Sequence, residues 1–163
     1  MKKGLAQIYR ENRQGMFTLS LAITGCRELA EDAVQEAFAR LWRNGSRPAG
    51  DPVAYAFAAV RNAAVDQVRR RGAAVRRTVP IESIFVSGTQ DPAGAAACAE
   101  RVETVRRALE ALPPEQREVV VMKTYAGLTF SQIAETLGQP LPTVAARYRR
   151  TLERLKQSLG DAL

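Results

Sequence analysis

Apolar residues recur at helical spacing along most of the chain. Leu5, Ile8, Met16, Leu19 and Ile23 predict a first helix, which Gly25 ends. A second runs from about Glu28 to Arg43. Leu29, Ala33, Ala37 and Leu41 form its stripe, with Val34, Phe38 and Trp42 beside it. Arg43 to Gly50 has the composition of a loop, and Asp51-Pro52 then offers an N-cap followed by proline at the first helical position. The third helix, Pro52 to about Arg71, places Val53, Phe57, Val60, Ala64 and Val68 toward a core. Tyr55, Asn62, Asp66 and Arg69 fall on the opposite side. Arg69-Arg70-Arg71-Gly72 closes it, with cations at the negative end of the helix dipole.

Periodicity fails from Gly72 to about Ala97, where glycine and proline recur, and a short ordered piece is expected only at Ile81–Val86. Helices resume near Cys98. Val102, Val105, Leu109 and Leu112 make a stripe that Pro113-Pro114 breaks, and Glu115 to Tyr125 is bounded by Gly127. Leu128 to Gly138 reads as a short helix with a polar start, and Gln139-Pro140-Leu141-Pro142-Thr143 as a tight turn. Val144 to Leu159 is a longer helix. Two helices joined so briefly, the second rich in arginine, form a helix-turn-helix signature. No strand pattern and no internal repeat appear. The expected fold is all-α, with two small helical domains at residues 1–72 and 98–163 joined by a flexible linker, 73–97.

Composition narrows the chemistry. The 163 residues contain no His, which removes Ser-His-Asp and Cys-His nucleophile systems and the commonest zinc ligand. Cys26 and Cys98 form no CxxC pair, so neither a disulfide framework nor a zinc knuckle is expected, and both thiols are read as packing residues. No cofactor or metal site is anticipated, and catalysis is not expected. No apolar run is long enough for a membrane span and no signal-peptide core follows Met1, so the chain reads as cytoplasmic.

The net charge is +7, and its distribution matters more than its size. Residues 52–77 hold six arginines against Asp66, for +5. Residues 142–156 hold Arg147, Arg149, Arg150, Arg154 and Lys156 against Glu153, for +4. The remainder is therefore net negative, and the second helix carries Glu28, Glu31, Asp32 and Glu36. Two separate basic helices point to nucleic acid rather than to a uniformly basic coat. On the last helix, Val144, Tyr148, Leu152 and Leu155 define the buried side, while Thr143, Ala146, Arg147, Arg150 and Arg154 project from the other. The early residues of such a helix reach base edges, and later ones meet phosphate or remain solvated.

With these helices placed, the chain resembles bacterial RNA polymerase sigma factors of the extracytoplasmic-function group. Asp32-Ala33-Val34-Gln35-Glu36-Ala37-Phe38-Ala39-Arg40-Leu41-Trp42 is similar to that group's region 2 signature. Arg61-Asn62-Ala63-Ala64-Val65-Asp66-Gln67-Val68-Arg69-Arg70-Arg71 resembles the helix that follows it. Leu112-Pro113-Pro114-Glu115-Gln116-Arg117 and the helix-turn-helix resemble region 4. The resemblance implies a protein that binds core RNA polymerase, through its β′ and β subunits, and places it on promoter DNA. Region 4 would read the −35 element as duplex through Thr143, Ala146, Arg147, Arg149, Arg150 and Arg154. Region 2 would take the single-stranded −10 element through Tyr55, Asn62, Asp66, Arg69 and Arg70, under the loop Arg43 to Asp51. Asp32, Gln35 and Glu36 would dock on the β′ subunit.

The residues themselves leave alternatives. Tyr55 suits base stacking or half-buried packing, and Asn62 and Asp66 suit hydrogen bonding within the domain. Glu36 and Arg40 stand at the spacing of a surface ion pair. Two departures from the family are visible: Ala145-Ala146 where relatives often carry a basic residue and a serine, and Tyr55 in place of a tryptophan. Because the chain ends soon after the last helix, no appended sensing domain is expected, and regulation would fall to a separate anti-sigma factor. Two rivals remain: a helix-turn-helix regulator that binds duplex alone, and an enzyme acting on nucleic acid. The arginines of the third helix argue against the first. The absence of clustered carboxylates argues against the second.

Overall fold

A computed structural model describes residues 2–45, 48–72 and 92–160, and these fold into seven helices: α1 (Lys2–Thr24), α2 (Arg27–Asn44), α3 (Pro52–Arg71), α4 (Pro92–Glu110), α5 (Pro114–Thr124), α6 (Phe130–Leu137) and α7 (Leu141–Gly160). No strand occurs among the described residues. The expected element at Ile81–Val86, and most of the 73–97 linker, lie outside them.

The helix ends follow local chemistry. Asp51 caps α3, its carboxylate accepting from the amides of Val53 at 2.8 Å and Ala54 at 3.0 Å. Thr129 caps α6 in a reciprocal box with Gln132, so two orphan amides of the first turn are satisfied together. The Leu112-Pro113-Pro114 break stops the amide ladder at the end of α4, where the Leu109 carbonyl still accepts from the Leu112 amide at 3.2 Å. Arg117 adds side-chain donors there, to the oxygens of Leu109, Glu110 and Leu112 at 2.8–3.0 Å.

Two boundaries differ from the sequence expectation. Helix α4 begins at Pro92 rather than near Cys98. Its first turns are built from alanines, which favour helix without forming an apolar stripe, so periodicity had nothing to register there. Helix α7 begins at Leu141, which takes Leu141–Thr143 out of the turn and into the first helical turn. Proline at the second helical position costs no hydrogen bond, because that amide has no partner in any helix. Cys98 is also exposed rather than packed, whereas Cys26 is buried.

Helices α1, α2 and α3 pack as a three-helix unit around Met16, Leu19, Ala33, Val34, Phe57 and Val60. The same buried cluster continues into Val119, Met122, Leu128, Ile133 and Val144, so the second half of the chain shares the core of the first. The two helical units expected from the sequence are both present, and they lie against one another. A close backbone approach is at Gly15, inside α1, where a Cβ would stand 2.9 Å from both Cα and Cβ of Ala126. Only glycine lets α1 and the loop after α5 meet backbone to backbone. Leu109, Leu112 and Val120 form a smaller cluster, flanked by Val105, Tyr148 and Leu155.

Three residues expected on apolar faces are exposed: Trp42 at the end of α2, Val68 on α3 and Leu152 on α7. On α3, burial stops at Ala64, and Val68 is exposed because the last turns extend beyond the shared cluster. On α7, Thr151 is fully buried and Leu152 is exposed. The buried line runs through Val144, Tyr148, Thr151 and Leu155. The Thr151 hydroxyl is tolerated there because it donates to the Arg147 carbonyl at 2.7 Å.

Candidate nucleic-acid interface

On α7 the expected set divides. Thr143, Arg149, Arg150 and Arg154 are exposed, in keeping with a solvent-facing basic side. Ala146 is half-buried, and Arg147 does not project freely as expected. Its side chain is only 18% exposed. It donates from Nη1 to Gln139 Oε1 at 2.7 Å, and Nη2 stands 3.7 Å from Glu115. Arg147 lies one turn before Thr151 on the line that turns toward the core, so its guanidinium folds back over the inter-helix turn. Arg150 lies on the exposed side, its Nε approaching the Ala146 carbonyl at 3.3 Å.

On α3, Tyr55 is 40% exposed, Asn62, Arg69 and Arg70 are exposed, and Asp66 is half-buried. The opposite-face assignment of Tyr55, Asn62, Asp66 and Arg69 therefore fits three of its four residues fully, and Arg70 beside them is exposed as well. The arginines gather at the C-terminal end of the helix. There Arg70 Nη2 stands 3.5 Å from Glu36 Oε1 of α2.

On α2, Asp32 and Gln35 are exposed and Glu36 is half-buried. Glu36 pairs with Arg40, as the spacing predicted, and also meets Arg70 and the Gln67 amide. One carboxylate thus joins the acidic helix to the basic end of α3. An ion pair this exposed is worth little by itself, on the order of 0–1 kcal/mol, so it orients Arg70 more than it holds it.

Several contacts had no sequence signal. Arg61 Nε of α3 meets Glu118 Oε2 of α5 at 2.5 Å, and Glu118 is buried. Its 57-residue separation matches no local spacing rule. Asp51 receives a bond from Gln132 Nε2 at 3.1 Å, and its own amide donates to Glu135 Oε2 at 2.9 Å. Burial raises the Asp51 carboxyl. The hydrogen bonds from Ala54, Gln132 and Val53 outweigh it, and the net shift is below the usual carboxylate range. Arg117 also reaches across to the Ala22 carbonyl at 3.2 Å, tying α5 to the end of α1. Among the described residues no group of His, Cys, Asp and Glu is placed to hold a metal, and no helix is long and apolar enough to cross a membrane.

Comparison with known proteins agrees with this arrangement. Residues 8–74 match the family model described as Sigma-70 region 2, and residues 103–155 match Sigma-70, region 4. The ECF RNA polymerase sigma factor SigK of Mycobacterium sp. (strain KMS) is 27% identical over 163 residues, covering 95% of this chain and 82% of the relative. SigK of Mycobacterium tuberculosis is 27% identical over 158 residues, covering 94% and 84%. Among solved structures, the sigma factor RpoE of Bartonella quintana, in complex with the anti-sigma factor NepR, has a TM-score of 0.69 at 20% identity. That match covers 98% of this chain and 96% of RpoE. CnrH in complex with the cytosolic domain of CnrY also scores 0.69, at 21% identity, covering 99% and 90%. The chain belongs to the sigma-70 family of RNA polymerase sigma factors, within its extracytoplasmic-function group. Members of that family direct promoter-specific initiation by RNA polymerase and are regulators rather than catalysts.

Proposed function

We propose that this chain binds core RNA polymerase, brings it to promoters by reading the −35 element as duplex and the −10 element as single strand, and assists opening. The observation that carries the reading is the pair of basic helices, α3 in region 2 and α7 in region 4, each with arginines exposed. In the second helix of a helix-turn-helix, Thr143, Ala146, Arg147, Arg149 and Arg150 are at the depth of base edges or flanking phosphates. Arg154 lies farther along, at the backbone. Arg147 joins them after releasing Gln139. Tyr55 supplies a ring for an unstacked base, Asn62 and Asp66 supply polar edges, and Arg69 and Arg70 follow the phosphates.

Asp32, Gln35 and Glu36 give α2 a negative face that DNA repels and a basic protein surface attracts, which suits docking on the β′ subunit. The β subunit completes the polymerase contact. An anti-sigma factor is the proposed regulator, since the similar RpoE is in complex with the anti-sigma factor NepR and CnrH with the cytosolic domain of CnrY. The site of action is the cytoplasm.

Permanganate footprinting of polymerase-bound promoters tests the division of labour, because it reports unpaired thymines. Arg150→Ala should lower recruitment to closed promoter. Arg69→Ala with Arg70→Ala should leave recruitment nearly intact and impair opening. Normal opening in both variants at raised salt would overturn the assignment.

A further inference from the structure

The leading end of α7, where base edges are met, is apolar. Between Leu141 and Arg150 there is no Asn, Gln, Asp or Glu. Asn and Gln are the side chains that read adenine in the major groove, and Glu and Asp are those that accept from cytosine. Arginine reads guanine, but Arg147 is held on Gln139 Oε1 at 2.7 Å. What the groove offers to an apolar surface is the C5-methyl group of thymine, the one apolar group that base pairs present there.

Leu141 is the side chain placed to meet it. It is 45% exposed at the first position of α7, because the buried line of that helix begins only at Val144. A single exposed leucine is ordinary on a protein surface. This one has apolar company: Pro142 beside it is exposed, and Thr143 and Ala146 follow with methyl groups. Thr143, Ala146 and Arg150 stand at i, i+3 and i+7, so they share one face, and Leu141 lies at its leading end. Leu152, also exposed, sits about three turns farther along, past the residues that reach bases.

The tip is also fixed in shape. Pro140 and Pro142 flank Leu141. The Pro140 carbonyl accepts from the amides of Thr143 at 3.0 Å and Val144 at 3.2 Å, and the Gln139 amide donates to the Ala134 carbonyl at 3.0 Å. Covering a side chain on a backbone held this way costs little ordering entropy, so the apolar area it buries counts toward binding. Resting on the proposed function, we infer that Leu141, with Thr143 and Ala146, is a specificity-determining surface that packs on thymine methyl groups in the −35 duplex. Arg150 supplies the polar contact beside them. The departure at Ala145-Ala146 then changes the chemistry of reading, from hydrogen bonds to apolar contact, and the preferred element carries thymine on the strand that faces Leu141.

Deoxyuridine isolates this contact, since it lacks only the 5-methyl group of thymidine. The full chain, bound to core RNA polymerase, first selects from duplexes randomised over the −35 segment, and the best-bound duplex becomes the probe. Replacing each thymine of that segment in turn by deoxyuridine should weaken binding about fourfold at one position or more, the worth of one buried methyl group. The salt slope should stay the same, because no phosphate contact is lost. Leu141→Ala should bring the thymine-to-uracil ratio at that position close to one, and Leu141→Met should restore it. Leu141 is exposed, so neither change disturbs the core. Equal binding of the thymine and deoxyuridine probes, or a selected segment without thymine, overturns the methyl reading and leaves the function standing. A ratio that survives in Leu141→Ala shows that the methyl packs elsewhere, and overturns it too. Failure to select any sequence from the pool overturns the proposed function, and this inference with it.

Discussion

The two basic helices, α3 and α7, differ in where their cations stand relative to the shared core. On α3 the buried residues end at Ala64, and Arg69, Arg70 and Arg71 extend beyond them into solvent. On α7 the core line runs the length of the helix, from Val144 to Leu155, and the arginines lie to either side of it. A cation past the end of a core is exposed whatever its helical angle. A cation alongside a core depends on that angle, which is why Arg150 faces solvent and Arg147 folds back on Gln139. The contrast makes α3 the simpler electrostatic element and α7 the more selective one.

The largest expected effect breaks the feature the two helices share. Phe57 is fully buried, and Phe57→Ala should cost about 3–5 kcal/mol. Because the cluster spans both halves, urea unfolding followed at each half should shift together. A shift confined to residues 2–72 would show that the halves are energetically separate.

The DNA-facing contrast comes next. Arg150→Ala should cost about 1–3 kcal/mol on the preferred −35 duplex and far less on a scrambled one, measured by competition with polymerase bound. Arg69→Ala or Arg70→Ala should weaken binding with little sequence dependence and reduce the salt slope by about one unit for each phosphate no longer neutralised. Equal sequence dependence in both sets would erase the distinction.

A smaller effect lies where the halves touch. Gly15→Ala improves helix propensity by about 1 kcal/mol, yet places its methyl 2.9 Å from Ala126. Overpacking against backbone should win, giving a net loss of about 1 kcal/mol in denaturant titration. A net gain would mean that the approach is looser than described.

The smallest expected effect is at Asp51. Asp51→Ala should cost about 1 kcal/mol through the missing cap. Its folded pKa lies below the unfolded one, so this stabilisation is present above about pH 4 and lost as the pH falls through the folded value. Stability of the parent and the variant should therefore converge in acid. Convergence at high pH instead would contradict the sign.

Much of this was legible in the sequence because it is local. The α3 boundaries followed from Asp51-Pro52 and Gly72, and the helix-turn-helix from the glycine stop and the arginine-rich helix after it. The start of α4 was not legible, because alanine helices lack an amphipathic pattern. Arg147 was misplaced because a rotation about α7 of less than one residue exchanges Leu152 for Thr151 on the buried side. The Arg61–Glu118 pair and the hold on Asp51 join residues 57 to 84 positions apart, and only the tertiary packing brings them together.

Reconstituted transcription tests the central claim most directly. Purified chain and core RNA polymerase, mixed with genomic fragments at ~150 mM salt, should yield transcripts with defined starts that neither component yields alone. A chain that instead bound one duplex site at nanomolar level by itself, and added no starts to polymerase, would be an ordinary helix-turn-helix regulator and would contradict the account.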